Sequence, residues 1–238
     1  MGQPHFTFKQ FEIFQDRCAM KVSTDSIVLG SWAPVQGCRR ILDVGTGTGI
    51  LALMLAQRTP HDVQIDAVEL DPAATEQAEE NVNQSPWRER IRVIHQNVLT
   101  YAAPRYDLIV TNPPYFLHGQ ILPDAARQRA RHTGELDHQS LLAAVQRLLA
   151  PDGLFALILP VDVAGSFVSL AAGQDWYVQR RCAVETRRGK TPALMLLVLT
   201  RSDVAMTEEE TLCLREADHR YSAEFTALAD AFYLNMAG

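Results

Sequence analysis

Short apolar runs alternate with stretches of helical periodicity through most of this chain. Residues 40–44, 63–69, 91–95 and 106–111 are apolar runs of strand length, and helical patterns over 49–58 and 72–84 separate the first three. Further along, Asp137 is placed to cap a helix from His138 to Leu149, with Pro151-Asp152-Gly153 as its stop. Leu154 to Leu159 is a continuous apolar run of the buried-strand type. A weak helix over 161–172, a closing pair of strands at 176–184 and 193–200, and a helix from Ser222 to Leu234 complete the series. Ahead of it, residues 6–20 read as a hairpin-like lead-in, and Ser26–Trp32 as a short helix capped by Thr24 or Asp25. Strands alternating with helices predict an α/β fold with a doubly wound, mostly parallel sheet and helices on both faces. The closing pair predicts one antiparallel strand.

Length and composition narrow the class. The 238 residues suit one α/β domain with a sizeable core, here 1–38 as a lead-in and 39–238 as the α/β core. No repeat or linker divides it. No stretch approaches the ~20 apolar residues that span a membrane, and the N-terminus has no secretory pattern, so a cytoplasmic protein is expected. Cys18, Cys38, Cys182 and Cys213 are scattered without C-x-x-C spacing, which predicts reduced thiols and no metal. The net charge of -6 does not suit indiscriminate binding to nucleic acid. Its positive residues are clustered, however: Arg127, Arg129, Arg131 and His132 in one segment, and Arg180, Arg181, Arg187, Arg188 and Lys190 in another. The acidic excess, including Glu208, Glu209 and Glu210, lies elsewhere in sequence.

The candidate chemistry sits at strand ends. Asn112-Pro113-Pro114-Tyr115 follows the run 106–111, and in a doubly wound sheet ligands bind at that end. Two prolines stiffen an extended backbone with few N–H groups. The segment therefore offers acceptors and a stacking face, as a planar molecule with an exocyclic amine requires. Upstream, Asp43-Val44-Gly45-Thr46-Gly47-Thr48-Gly49 leads from strand to helix. Its spacing departs from G-x-G-x-x-G, and no Lys-Ser/Thr pair follows, so neither a dinucleotide fingerprint nor a P-loop fits. An Asp beside a glycine turn suits a ligand bearing an ammonium, such as S-adenosylmethionine. Glu69 ends the strand 63–69, about 20 residues past the glycines, where an acid can accept from both ribose hydroxyls. Asp71 before Pro72 reads as a helix N-cap.

Asp43 to Gly49, Glu69 and Asn112 to Tyr115 together resemble class I S-adenosylmethionine-dependent methyltransferases that act on exocyclic or amide nitrogens. Phe6-Thr7-Phe8-Lys9-Gln10-Phe11, Asp16-Arg17-Cys18-Ala19-Met20-Lys21-Val22, Thr24-Asp25, Asn83-Gln84-Ser85-Pro86-Trp87 and Ala231-Phe232-Tyr233 extend the likeness along nearly the whole chain. These resemble the bacterial tRNA1(Val) (adenine(37)-N6)-methyltransferases. The resemblance implies a Rossmann-like class I methyltransferase sheet, S-adenosyl-L-methionine as cofactor, and tRNA, through its anticodon stem-loop, as substrate. It implies that Asn112 and Pro113 hold the amine and Tyr115 stacks on the base. Lys21, Thr24 and Asp25 would fold over the methionine end of the cofactor. Asn97 and Val98 would lie at its adenine, with Asn97 standing where the family usually has an acid, and Asn112 would border both ligands. Arg127, Arg129, Arg131, Arg187, Arg188 and Lys190 are the candidate RNA contacts.

Residues 116–135 form a long segment without periodicity, read as a lid or RNA-contacting loop hinged at Gly119 and Gly134. Two other substrates remain open on the same tetrapeptide: an adenine in another RNA or in DNA, and the amide of a protein glutamine. The glutamine-modifying enzymes carry a sizeable N-terminal helical region, whereas 42 residues precede Asp43 here.

Overall fold

The central apolar runs pair with one another because each is buried on both faces. In β3 (Arg40–Val44) Ile41 points into one core and Leu42 into the other. The same division recurs in β6 (Tyr106–Thr111), where Leu108 and Val110 oppose Tyr106 and Ile109. The computed structural model of the protein describes residues 5–18, 21–113 and 136–236. Before β3 come β1 (His5–Thr7), β2 (Glu12–Phe14) and α1 (Thr24–Trp32). After it come α2 (Ile50–Arg58), β4 (Gln64–Glu69), α3 (Pro72–Asn83) and β5 (Ile91–His95), then β6. Beyond β6 lie α4 (His138–Leu148), β7 (Leu149–Pro160), α5 (Val161–Ala172), β8 (Tyr177–Glu185), β9 (Leu194–Thr200), β10 (Glu208–Cys213) and α6 (Ala223–Ala229).

Eight strands form one sheet in the order β10-β8-β9-β7-β6-β3-β4-β5, and β9 alone runs against its neighbours. The expected α/β architecture, mostly parallel with one antiparallel strand, is present. One core packs α1, α2 and α6 on the sheet; the other packs α4 and α5.

Several boundaries differ from expectation for local reasons. The cap of α1 is Ser23, whose side chain accepts from Ser26 N, rather than Thr24 or Asp25. Asp71 and Asp137 do cap α3 and α4. Pro151-Asp152-Gly153 does not stop α4 but bulges within β7: Tyr106 faces Leu149 and Leu108 faces Leu154, so the surplus residues loop out. The closing pair of strands is a trio, because Glu208–Cys213 adds β10 parallel to β8. Its acids meet the arginines of the neighbouring strand, Arg180 with Glu210 at 2.7 Å and Arg181 with Glu209 at 2.5 Å. The last helix ends at Ala229 rather than Leu234, as residues 230–233 turn back onto the lead-in.

That lead-in is clamped twice. Phe8 bridges Tyr233, and Lys9 donates its N–H to Phe232 O at 2.8 Å and its ammonium to Asp230. On the other side Asn81 of α3, only 1% exposed, exchanges hydrogen bonds with the Phe14 backbone and donates to Thr48 O, each at 2.8 Å. Gln77 accepts from Arg17 N at 3.1 Å. Asn81 thereby ties β2 to the glycine turn, and Gln77 holds the segment just after β2.

Candidate functional site

β3 and β6 are neighbours, but the chain leaves β3 toward β4 and β5 before returning to β6. Loops at the carboxyl ends of these strands diverge, and a cleft opens between them as the topology requires. It measures about 250 Å³ and is lined by Gly45, Thr46, Gly47, Thr48, Glu69 and Asn112, with Cys18, Lys21, Ser23 and Ser26 from the lead-in and α1. Ile50, Leu51 and Ala74 supply apolar wall.

The glycine turn is built to expose backbone. Gly45, Gly47 and Gly49 adopt φ of 69°, 56° and 83°, a region that other residues enter at a cost. A Cβ added at Gly45 or Gly47 would meet nothing within 4 Å, so both face open space. Asp43 lies behind this turn and not in the cleft lining. It is fully buried, accepts from Thr46 Oγ1 at 2.5 Å and from Ala52 N at 3.2 Å, and so braces the turn against α2. Burial pushes its carboxyl up to about 7, which makes it a brace more than a standing anion for an ammonium.

Glu69 does reach the cleft. Its Oε2 accepts from Gly47 N at 2.8 Å, and its Oε1 from Leu70 N at 2.8 Å and Asp71 N at 3.0 Å. Three backbone donors hold the carboxylate at the strand end, and a hydroxyl reaching Oε2 would share that oxygen with Gly47. Lys21 lines the cleft with its ammonium against Gln15 O. Thr24 and Asp25 begin α1 without lining the cleft; Ser23 and Ser26, three residues apart on one helical face, do so instead. Gly49 caps α2 beside Ala78 and is likewise outside the lining. Asn97 Oδ1 accepts from Leu99 N at 2.9 Å in the turn after β5, and Val98 is buried in the second core. Neither lines the cleft, since β5 is the edge strand, two positions from β3.

Asn112 borders the cleft at the end of β6, and its Nδ2 donates to Ser26 Oγ at 3.0 Å. That bond orients the amide, because a nitrogen committed to donation makes Oδ1 the side chain's acceptor. Pro113 follows as a buried residue. Burial, and secondarily Glu69, push the thiol of Cys18 beside them up to about 11, which disfavours its thiolate. Tyr115, Arg127, Arg129, Arg131 and the whole segment 116–135 lie outside the described residues. Arg187, Arg188 and Lys190 sit in the β8–β9 turn, with Arg188 tied to Glu216 at 2.7 Å and Glu224 at 2.8 Å. Among the described residues no cluster of His, Cys, Asp and Glu could hold a metal ion, and no helix is long and apolar enough to cross a membrane.

Ser23, Ser26, Asn81 and Gln77 were not singled out by sequence. A serine just ahead of an apolar run is an N-cap signal, which marks Ser23 but not the other three.

Comparison with known proteins agrees with this geometry. Residues 18–158 match the family model of the methyltransferase small domain. The chain is 68% identical over 236 residues to a tRNA1(Val) (adenine(37)-N6)-methyltransferase of Tolumonas auensis, covering 99% of each chain. It is 51% identical to one of the same name from Aeromonas hydrophila, covering 97% of this chain and 98% of that one. In fold it is similar to a solved structure described as a predicted O-methyltransferase from Agrobacterium tumefaciens, with a TM-score of 0.69 at 18% identity over 87% of this chain and 96% of the other.

Proposed function

The chain belongs to the family of tRNA1(Val) (adenine(37)-N6)-methyltransferases, within the methyltransferase small-domain fold, and from that premise we propose that it methylates the N6 amine of adenosine 37, beside the anticodon of tRNA1(Val), with S-adenosyl-L-methionine. The observation that carries the reading is Asn112, oriented by Ser26 at the rim of a glycine-walled cleft. The residues present fit the cofactor. Glu69 suits a ribose diol, Lys21 suits a carboxylate, and the bare turn at Gly45 and Gly47 admits a ligand against the backbone. Bound there, S-adenosylmethionine supplies an electrophilic methyl group on its sulfonium.

The rest of the chemistry falls to the chain. An adenine amine is a weak nucleophile because its lone pair is delocalised into the ring. Hydrogen bonds donated by its two N–H groups to Asn112 Oδ1 and the Pro113 carbonyl draw the nitrogen toward tetrahedral geometry and localise the pair, and the cationic nitrogen formed by methyl transfer then loses one proton to solvent. Tyr115 stacks on the base, worth ~1–3 kcal/mol. Fixed dipoles and orientation provide the acceleration, with no strong general base. The base must leave its stack to enter, which costs less in an anticodon loop than in a duplex. In this reading residues 1–238 act as one domain in the cytoplasm, with 1–38 covering the cofactor.

Mass spectrometry of nucleosides from tRNA of cells with and without the gene tests the reading. N6-methyladenosine should vanish from tRNA1(Val) without the gene. The Asn112→Ala protein should bind cofactor normally and turn over about 100-fold more slowly. Unchanged tRNA alongside a methylated glutamine or another methylated nucleic acid would move the substrate to those alternatives.

A further inference from the structure

A second cleft lies on the same edge of the sheet as the first. It is open, about 500 Å³, and lined by Thr186, Arg187, Lys190, Thr191, Arg215 and His219, from the β8–β9 turn and the segment after β10. Because β8 runs parallel to β10 and antiparallel to β9, its carboxyl end faces the way β6 points. The turn therefore rises on the Asn112 side of the molecule.

The local charges are arranged for an anion. Arg188 gathers the carboxylates of Glu216 and Glu224, Arg220 holds Asp218 at 2.6 Å, and Glu185 accepts from Gly189 N at 3.2 Å. Arg187, Lys190 and Arg215 have no ion pair among the described residues, although the chain carries a net charge of -6. Arg215 is held in place by stacking over Tyr221, 4.2 Å from its centroid, and by donating to His219 O at 2.6 Å. His219 sits at φ 70°, a strained value for a residue with a side chain, and Gly189 at φ 77° shapes the opposite rim. Arg187 Nη1 lies 3.1 Å from His219 Nε2 and so links the two sides of the cleft. Two guanidinium groups and an ammonium so placed match phosphate oxygens.

Register gives the distance. The row through Thr111 passes Leu157 and Leu197 to Arg181, three strands away. At ~4.8 Å per strand and ~3.3 Å per residue, the turn beyond Glu185 lies about 20 Å from Asn112. A stacked strand advances ~3.4 Å per nucleotide, so that span corresponds to roughly six nucleotides.

We propose that Arg187, Lys190, Arg215 and His219 form a phosphate-binding site for the RNA backbone about six nucleotides from the target adenosine. The inference rests on the reading that RNA is the substrate, and it assigns this cleft to the stem adjoining the loop. Phosphate contacts position without reading sequence.

Binding separates the two ideas. Labelled tRNA1(Val) and a five-nucleotide RNA containing the target adenosine are titrated against the wild type, an Arg187→Gln/Lys190→Gln double variant and Lys190→Glu, at several salt concentrations. Lys190 is exposed and makes no side-chain hydrogen bond among the described residues, so its charge can be reversed without unfolding the turn. The double variant should raise the tRNA Kd about ten-fold and flatten the slope of log K against log salt by about 1.5, at ~0.7–0.9 per lost phosphate contact. Lys190→Glu should act in the same direction. The pentamer, too short to reach the cleft, should change less than about two-fold. Unchanged tRNA binding and slope, or equal weakening of the pentamer, would overturn the proposal. A wild type that binds tRNA in this way but methylates no tRNA would remove the functional reading and keep the site; a wild type that binds no tRNA would remove both.

Discussion

Ser26 is a buried hydroxyl whose hydrogen bond to Asn112 sets which end of an amide faces the reacting nitrogen. Ser26→Ala removes that hydrogen bond, and small misplacements are expensive in a site that works by orientation. Turnover should fall about ten-fold with little change in affinity for S-adenosylhomocysteine, and Ser26→Thr should restore it; steady-state kinetics beside calorimetry would show the split. Asp43 makes a different test. Its carboxyl stands at about 7 in the fold against an ordinary 3.8, because burial disfavours the charge. The folded state therefore binds this proton more tightly, so the contribution is full below about 4 and is lost as pH rises through 7. Denaturant unfolding of wild type and Asp43→Asn should give a stability difference that falls across that window and is flat above it. A difference that stays flat from about pH 4 to 7 would mean that the buried carboxylate is charged. Sequence made Asp43 visible as part of a motif, but its place behind the turn depends on Thr46 and Ala52, and spacing alone does not fix on which side of a turn a side chain falls. Asn112 was legible because a polar amide between an apolar strand and two prolines has no packing reason to be there. Ser26 was not, since a serine inside an apolar helix is indistinguishable from a solvent-facing one until its partner, 86 residues away, is known.

Two glycines show opposite uses at the level of elements. Gly49 starts α2 at φ 83°, and a Cβ there meets only ordinary contacts with Ala78, so the cost of Gly49→Ala is conformational, about 1–2 kcal/mol. Gly165 is inside α5 with open space around a would-be Cβ, so Gly165→Ala should stabilise by about 0.5–1 kcal/mol. Thermal unfolding of the two variants should shift in opposite directions. Most strands and helices were legible because double-sided burial leaves unbroken apolar runs. β10 was not, since Glu208-Glu209-Glu210 reads as a solvated face. What makes it a strand is the row of arginines on β8, a pairing of charges about 30 residues apart that no local pattern displays.

For the molecule as a whole, the decisive join is between the lead-in and the rest. Asn81→Ala strips hydrogen bonds from the Phe14 and Thr48 backbone, at about 1–3 kcal/mol for each buried group left unpaired. Stability should drop, and cofactor affinity should fall with it because the glycine turn and the lead-in wall lose their common anchor. Calorimetric titration with S-adenosylhomocysteine at a temperature where the variant remains folded would measure the second effect; unchanged affinity would show that the wall holds without Asn81. The other clamp has a consequence in time. Lys9 and Asp230 are 221 residues apart, and ribosomes add about 5–20 residues per second, so roughly 10–45 s separate their synthesis. Through that interval the growing polypeptide already carries its glycine turn, yet Cys18, Lys21 and Ser23 belong to a segment fastened on one side only. A translating chain therefore fastens the second side of that segment only once residues 230–233 have been made.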